Sequence, residues 1–266
     1  MRTRFRAAAA ILLSAVLSPA ARLTPPAERA FTDYTAAIEA RLARQHARPD
    51  TYVTTAWAAA PGNVHIEPVN GGTWQIRGGL LHHWRAAALV PGATAGDLLT
   101  LLRDYDHLAS FYAPEMVSSR KLSGGDADAT IAIRFRKQAI ITVVLDTEFE
   151  TRSALSGNAG YSFSRSTHVW QVDQPGSPRE RRRPEGADDG YLWRLNSYWS
   201  FQKRPDGLLM ECEAVSLSRD VPAGLGWLIL PIVESLPRAS LEFTMSATRK
   251  ALAAGSQRRP HDAHAN

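Results

Sequence analysis

The sequence predicts an α+β fold in which a curved antiparallel sheet wraps around one long C-terminal helix, and three observations predict it. From Trp74 onward, apolar and polar residues alternate in runs of strand length. The runs are separated by short turn signals, Ser123-Gly124-Gly125-Asp126, Gly157-Asn158 and Arg204-Pro205-Asp206-Gly207, so neighbouring strands are expected to pair antiparallel. After Pro237, which suits a first helical turn, Leu241, Met245, Thr248 and Leu252 fall at helical spacing and offer a stripe to cover the sheet. With 266 residues, 44% of them hydrophobic, the chain is long enough to bury a core.

The elements follow in order. Arg2, Arg4 and Arg6 precede the apolar run 7–17, and Ser18-Pro19-Ala20 supplies small residues for cleavage. Residues 1–20 therefore read as a signal peptide, and the mature chain is expected to be secreted or periplasmic. Residues 21–73 read as an N-terminal helix and a connector. Phe31, Tyr34, Ile38 and Leu42 make a helical stripe ending near 46–49, and Pro61-Gly62 and Asn70-Gly71-Gly72 then signal turns without regular structure. The main domain is expected over 74–254. It opens with a strand at 80–89, followed by Thr94 and Asp97 as a capping box ahead of Leu98, Leu99, Leu101 and Leu102. A second short helix runs from Asp104 to Phe111. Six strands then occupy 116–122, 130–137, 142–153, 161–172, 191–203 and 208–218, and residues 255–266 form a polar, disordered tail.

Within these strands Ile131, Ile133 and Phe135 oppose Arg134 and Arg136, and Leu145, Thr147 and Phe149 oppose Asp146, Glu148 and Glu150. Trp193, Leu195, Trp199 and Phe201 likewise oppose Arg194, Asn196 and Tyr198. Period two with one apolar face predicts a sheet wetted on one side, its other side left to the C-terminal helix. The loop 173–190, with three prolines and Arg179-Glu180-Arg181-Arg182-Arg183, reads as a solvated surface segment.

Charge and composition remove several function classes. The formal charge is +5, of which three belong to the signal segment, and the basic loop carries much of the rest, so no nucleic-acid face is predicted. Cys212 is the only cysteine, so no intrachain disulfide is possible. No Gly-x-Ser-x-Gly occurs, which argues against a serine hydrolase of that type. No metal site is predicted: His82 and His83 are adjacent on a strand and point to opposite faces, one to the core and one to the surface. Asp104, Asp106 and His107 sit where capping residues are expected. Glu211 and Glu213 share a strand face, as paired catalytic carboxylates would, but cross-strand pairing with Arg194 is the simpler account. Arg165 is expected to share its face with Tyr161, Phe163, Thr167 and Val169; an inward Arg there could anchor a carboxylate or polarise a carbonyl, or form a salt bridge with a nearby acid.

The words Asp104-Tyr105-Asp106, 192–199 (LWRLNSYW), Glu211-Cys212-Glu213-Ala214, 216–222 (SLSRDVP) and 234–238 (ESLPR) resemble bacterial members of the START-like (SRPBCC) superfamily, with its polyketide cyclase/dehydrase and coenzyme Q-binding protein branches. The resemblance covers about residues 78–253. The order of elements is also that of its helix-grip fold. It implies a cavity between sheet and terminal helix that takes a lipid, sterol, quinone or polyketide-like molecule, with no cofactor required. The expected lining is Phe135, Leu145, Phe149, Arg165, Trp193, Trp199, Met210 and Cys212, with Leu241 and Met245 from the helix. Between the last strand and that helix lies an apolar run broken by Pro222, Gly224, Gly226 and Pro231, too short and interrupted to span a bilayer. The family has a mobile entrance here, so Leu225, Trp227 and Leu228 are expected to form a gate, with transient membrane contact during ligand exchange; plain core packing is the other reading. The principal expectation is a binder of a hydrophobic small molecule. The alternatives are a cyclase or dehydratase using polar groups in the same cavity, and a module docking an anionic membrane through the basic loop and the gate.

Overall fold

The structure, a computed structural model, describes residues 21–48, 51–53, 62–138, 142–220 and 226–262. Residues 1–20, expected to be a signal peptide, and Leu225 lie outside the described residues. The chain runs β1 (Ala21–Arg22), α1 (Pro25–His46), β2 (Val64–Ile76), β3 (Gly79–Val90), α2 (Ala95–Arg103), α3 (Leu108–Phe111) and β4 (Met116–Gly124). It continues through β5 (Asp128–Gln138), β6 (Thr142–Ser156), β7 (Ala159–Asp173), β8 (Arg181–Arg182), β9 (Ala187–Asp188), β10 (Arg194–Arg204) and β11 (Gly207–Ser218) to α4 (Gly226–Asp262).

The main sheet has the order β2-β3-β11-β10-β7-β6-β5-β4, all antiparallel, with β8 added beside β7. Laid flat at roughly 4.8 Å per strand, β2 and β4 would stand about 34 Å apart. Yet α4 touches β2 and β3, α3 touches β4, and α3 touches α4. One buried apolar cluster also joins Ala86 of β3, Ile131 of β5 and Met245 of α4. The sheet therefore bends around the helix, as expected. The capping box forms too: the Thr94 hydroxyl accepts from the Asp97 N–H, and the Asp97 carboxylate accepts from the Thr94 N–H.

Four expectations need correction. First, the outer face of the sheet is not left to water, because α1 lies across it. Thr24 caps α1, and Pro25 and Pro26 start it. Its stripe Ala27, Phe31, Ile38 and Leu42 packs on Leu81, Phe163, Tyr198, Val215 and Leu217 in a second apolar cluster. Second, the connector contains β2. Its Asn70-Gly71-Gly72 is a bulge inside the strand, with all three residues at positive φ, and the pairing with β3 shifts between Pro68 and Thr73. The sheet thus begins at Val64, not at residue 74.

Third, the long helix starts at Gly226, eleven residues before Pro237, and runs to Asp262 through much of the expected tail. Pro231 and Pro237 lie inside it and lack the N–H that would reach back one turn, which is why the sequence pattern placed a break there. Trp227 and Leu228 are accordingly helical residues and not part of a loop. The basic loop lies largely in solvent, as expected, and its arginines are paired. Arg181 and Arg183 pair with Asp173, Arg183 also with Asp189, and Arg182 pairs with Asp146 while stacking 4.4 Å from the Trp170 ring centre. Fourth, the Asp104 and Asp106 side chains do not cap α3. They accept from the His107 ring and from the Lys121 N–H.

Candidate functional site: the inner face of the sheet

Register assigns each side chain to a face. Directly opposed residues share a face, so rows can be followed across the central strands. One row runs Ser153, Ser162, Trp199, Cys212, Ala86, and the next runs Gly160, Phe201, Met210, Ala88. All nine residues are buried, and the apolar ones belong to the cluster that holds Leu241, Met245 and Leu252 of α4. This half of the inner face is filled by the chain itself.

The two neighbouring rows differ. Thr151, Ser164, Ser197, Ala214 and Trp84 form one; Phe149, Ser166, Leu195, Ser216 and His82 form the other, with the Leu195 N–H donating to Ser166 Oγ at 2.8 Å. Ser164, Ser166, Leu195, Ser197, Ala214 and Trp84 all remain partly exposed, although they sit in the middle of an eight-strand path and face the helix side. Phe135, which meets Phe149 edge-on, is partly exposed as well. A central strand whose inward side chains keep accessible surface has free space before it. The inner face is accessible over half the sheet and packed over the other half, with one helix running along the concave side. This is a helix-grip arrangement, a curved antiparallel sheet wrapped on one long helix.

Solved structures similar to this chain include a STAR-related lipid transfer protein from Xanthomonas axonopodis, 18% identical over 68% of this chain and 98% of that one, with a TM-score of 0.42. Human STARD10 is 11% identical over 73% of this chain and 79% of its own, with a TM-score of 0.43. The Zhui aromatase/cyclase from a Streptomyces species is 12% identical over 69% and 98%, with a TM-score of 0.45. No family model and no curated protein matches the chain.

The anticipated lining residues separate by face. Phe149, Trp199, Met210, Cys212, Leu241 and Met245 share the inner cluster, and Phe135 packs against it. Leu145 lies directly opposite Phe135 and so faces the same way. The side chains of Trp227 and Leu228 are outside what the structure describes.

Arg165 and Trp193 are corrections. Arg165 points outward and forms a two-pronged pair with Glu39 of α1, at 2.5 and 2.9 Å. The apolar neighbours that suggested an interior, Tyr161 and Phe163, are the ones packed under α1. A bulge at Thr167 reverses the alternation, which returns Val169 to the inner face opposite Thr147. Trp193 precedes the first residue of β10, outside the alternating ladder. It joins the outer cluster, and its indole N–H donates to Asp188.

Three ionisable groups on the inner side, His82, Cys212 and Tyr112, are held neutral. His82 lies between Thr73 and Ser218, and burial depresses its pKa to about 4. Burial pushes the Cys212 thiol and the Tyr112 hydroxyl up, and Tyr112 hydrogen-bonds Thr248 of α4. The charged groups gather instead on the outer face. Glu213, 1% exposed, accepts from Arg41 at 2.6 and 2.7 Å and from His83 Nε2 at 2.9 Å, with Arg85 at 3.4 Å. Against its burial, His83 and the two arginines hold its pKa down at about 2. Tyr34 of α1 completes the line, its hydroxyl 2.8 Å from His83 Nδ1. So His82 is the inner histidine and His83 the outer one, but both are buried. Arg194 pairs with Glu28 and Glu185, not with the β11 carboxylates.

Sequence reasoning missed Ser164, Ser166, Ser197 and Trp84. Serines on a strand read as neutral filler, and Trp84 was masked by the adjacent histidines and arginine. Counting two residues back from Trp199 would have found Ser197.

Proposed function

We propose that this chain is an exported binding protein that holds a hydrophobic small molecule between the sheet and α4. The observation that carries the reading is the partly exposed inner face of β7 and β10 in the middle of the sheet, bounded by Phe135, Phe149 and Leu195. Apolar walls with few polar groups suit a ligand of mostly hydrocarbon character, each buried CH₂ contributing about 0.8 kcal/mol. The lipid-transfer and aromatase/cyclase names of the similar structures fit the same ligand class. Binding without chemistry is favoured because Arg165, the sequence's candidate for polarising a carbonyl, is engaged with Glu39 on the other face. The basic loop gives little support to docking on an anionic membrane, since Arg181, Arg182 and Arg183 are matched by Asp173, Asp146 and Asp189. Among the described residues no helix is long and apolar enough to cross a membrane.

Native mass spectrometry of the full chain expressed in its own host, followed by organic extraction, tests the reading. A reproducible co-purifying hydrophobe supports it. Protein that stays empty after purification and after incubation with lipids, quinones and polyketides refutes it. N-terminal sequencing of the purified chain tests export, which predicts loss of residues 1–20.

A further inference from the structure

Ser164 of β7 and Ser197 of β10 lie directly opposite each other on the inner face, a placement that puts their Cβ atoms about 5 Å apart. Both are partly exposed, and neither hydroxyl has a hydrogen-bond partner among the described residues. Ser166, one row on, accepts from the Leu195 N–H and so keeps its own O–H free to donate. At the β3 end of the Ser164 row, the Trp84 indole N–H is buried beside Gly72 with no acceptor. These are hydroxyls and an N–H set among Phe149, Leu195 and Ala214.

No described charged side chain is bonded within these two rows; Arg103 of α2 donates to Ser153 Oγ and to the Ser153 carbonyl in the adjoining, filled row. Arg85, Arg165 and Arg194 face outward and are matched by acids. His82 is bonded at both ring nitrogens to Thr73 and Ser218. From the helix, Arg238 pairs with Glu242, and Arg249, placed in sequence between Met245 and Leu252 of the packed stripe, has its Nε buried without a hydrogen-bond partner.

We infer that the bound molecule carries a neutral oxygen, a carbonyl or hydroxyl, which lodges between Ser164 and Ser197, and that the site rejects carboxylate and phosphate head groups. The inference rests on the binding reading above. A neutral oxygen recovers its lost water contacts from two hydroxyl donors. An anion brought to the same place loses its hydration and meets no compensating cation, so it is disfavoured.

The test uses the full chain and three probes of equal length at pH 7.5: 2-dodecanone, dodecanoate and dodecane, measured by calorimetry and by native-mass-spectrometric competition. The ketone is expected to bind at least ~10-fold more tightly than either other probe. The double variant Ser164→Ala, Ser197→Ala is expected to weaken ketone binding ~10-fold while leaving dodecane binding unchanged, which also reports an intact fold. Dodecanoate binding as tightly as the ketone, or ketone binding untouched by the double variant, overturns the inference and leaves the binding reading standing. Failure of all three probes to bind folded protein overturns the binding reading itself.

Discussion

Replacing Glu213 by Gln keeps the shape of the side chain and removes its charge from the centre of the outer-face network. Its carboxylate lies between Arg41 of α1, His83 and Arg85 of β3, and is almost fully buried. Its pKa falls from the ordinary 4.5 to about 2 in the folded chain. At 1.36 kcal/mol per unit, that displacement contributes about 3 kcal/mol at neutral pH, in line with the 3–5 kcal/mol typical of breaking a buried pair. The unfolded carboxyl takes up its proton near pH 4.5 and the folded one only near pH 2. The contribution is therefore complete above pH 4.5 and disappears as pH falls through 2. Urea unfolding followed by tryptophan fluorescence, repeated from pH 7 to pH 2.5, should show E213Q about 3 kcal/mol less stable at pH 7. Its stability should also fall less steeply than that of the unsubstituted chain below pH 4.5. A loss under 1 kcal/mol at pH 7, or an unchanged acid slope, would refute the assignment of this carboxylate as the anchor of α1.

Two further expectations follow from single residues. His82 titrates near 6.5 when unfolded and near 4 when folded, so the unfolded chain binds the extra proton and stability drops as pH falls from 6.5 towards 4. His82→Gln should flatten the urea midpoint against pH over that interval, and an unaltered profile would show that His82 is not the responsible group. Gly160 lies flush against its neighbours: an added Cβ would stand 2.6 Å from the Phe201 ring and 2.7 Å from the Ala154 carbonyl. Gly160→Ala should cost about 1–3 kcal/mol in the same unfolding assay, and a neutral result would mean that β7 shifts without penalty.

The inner face was the more legible half of this molecule. Alternation along β5, β6 and β11 assigned Ile131, Phe149, Met210 and Cys212 to one side, and the stripe Leu241, Met245, Leu252 found the helix that meets them. Period-two counting works there because burial and apolarity coincide. It failed on the outer face, where the buried residues include Glu213, Asn196, His83 and Glu211. Polar residues on a strand were read as water-facing, but here they are desolvated by α1 and matched by its own Tyr34, Glu39 and Arg41. Nothing in one strand's pattern distinguishes a carboxylate in water from one facing an arginine 172 residues away in the chain. Arg165 was read as inward for the same reason, because its apolar neighbours Tyr161 and Phe163 are covered by α1; only Val169 was misassigned for a different one, since a single extra residue at Thr167 inverts parity and bulges leave no mark on hydropathy.

The meeting of β3 with β11 bears on how the chain becomes structured. His82 finds Ser218 136 residues further along, and α1 rests on Arg165, Arg194 and Glu213, all of which follow it by more than a hundred positions. A nascent chain halted before Gly207 therefore has no seat for the β2–β3 hairpin and only part of the platform for α1. Closure waits on the last strand, so maturation is slow by topology, and interrupting synthesis late should be as damaging as interrupting it early.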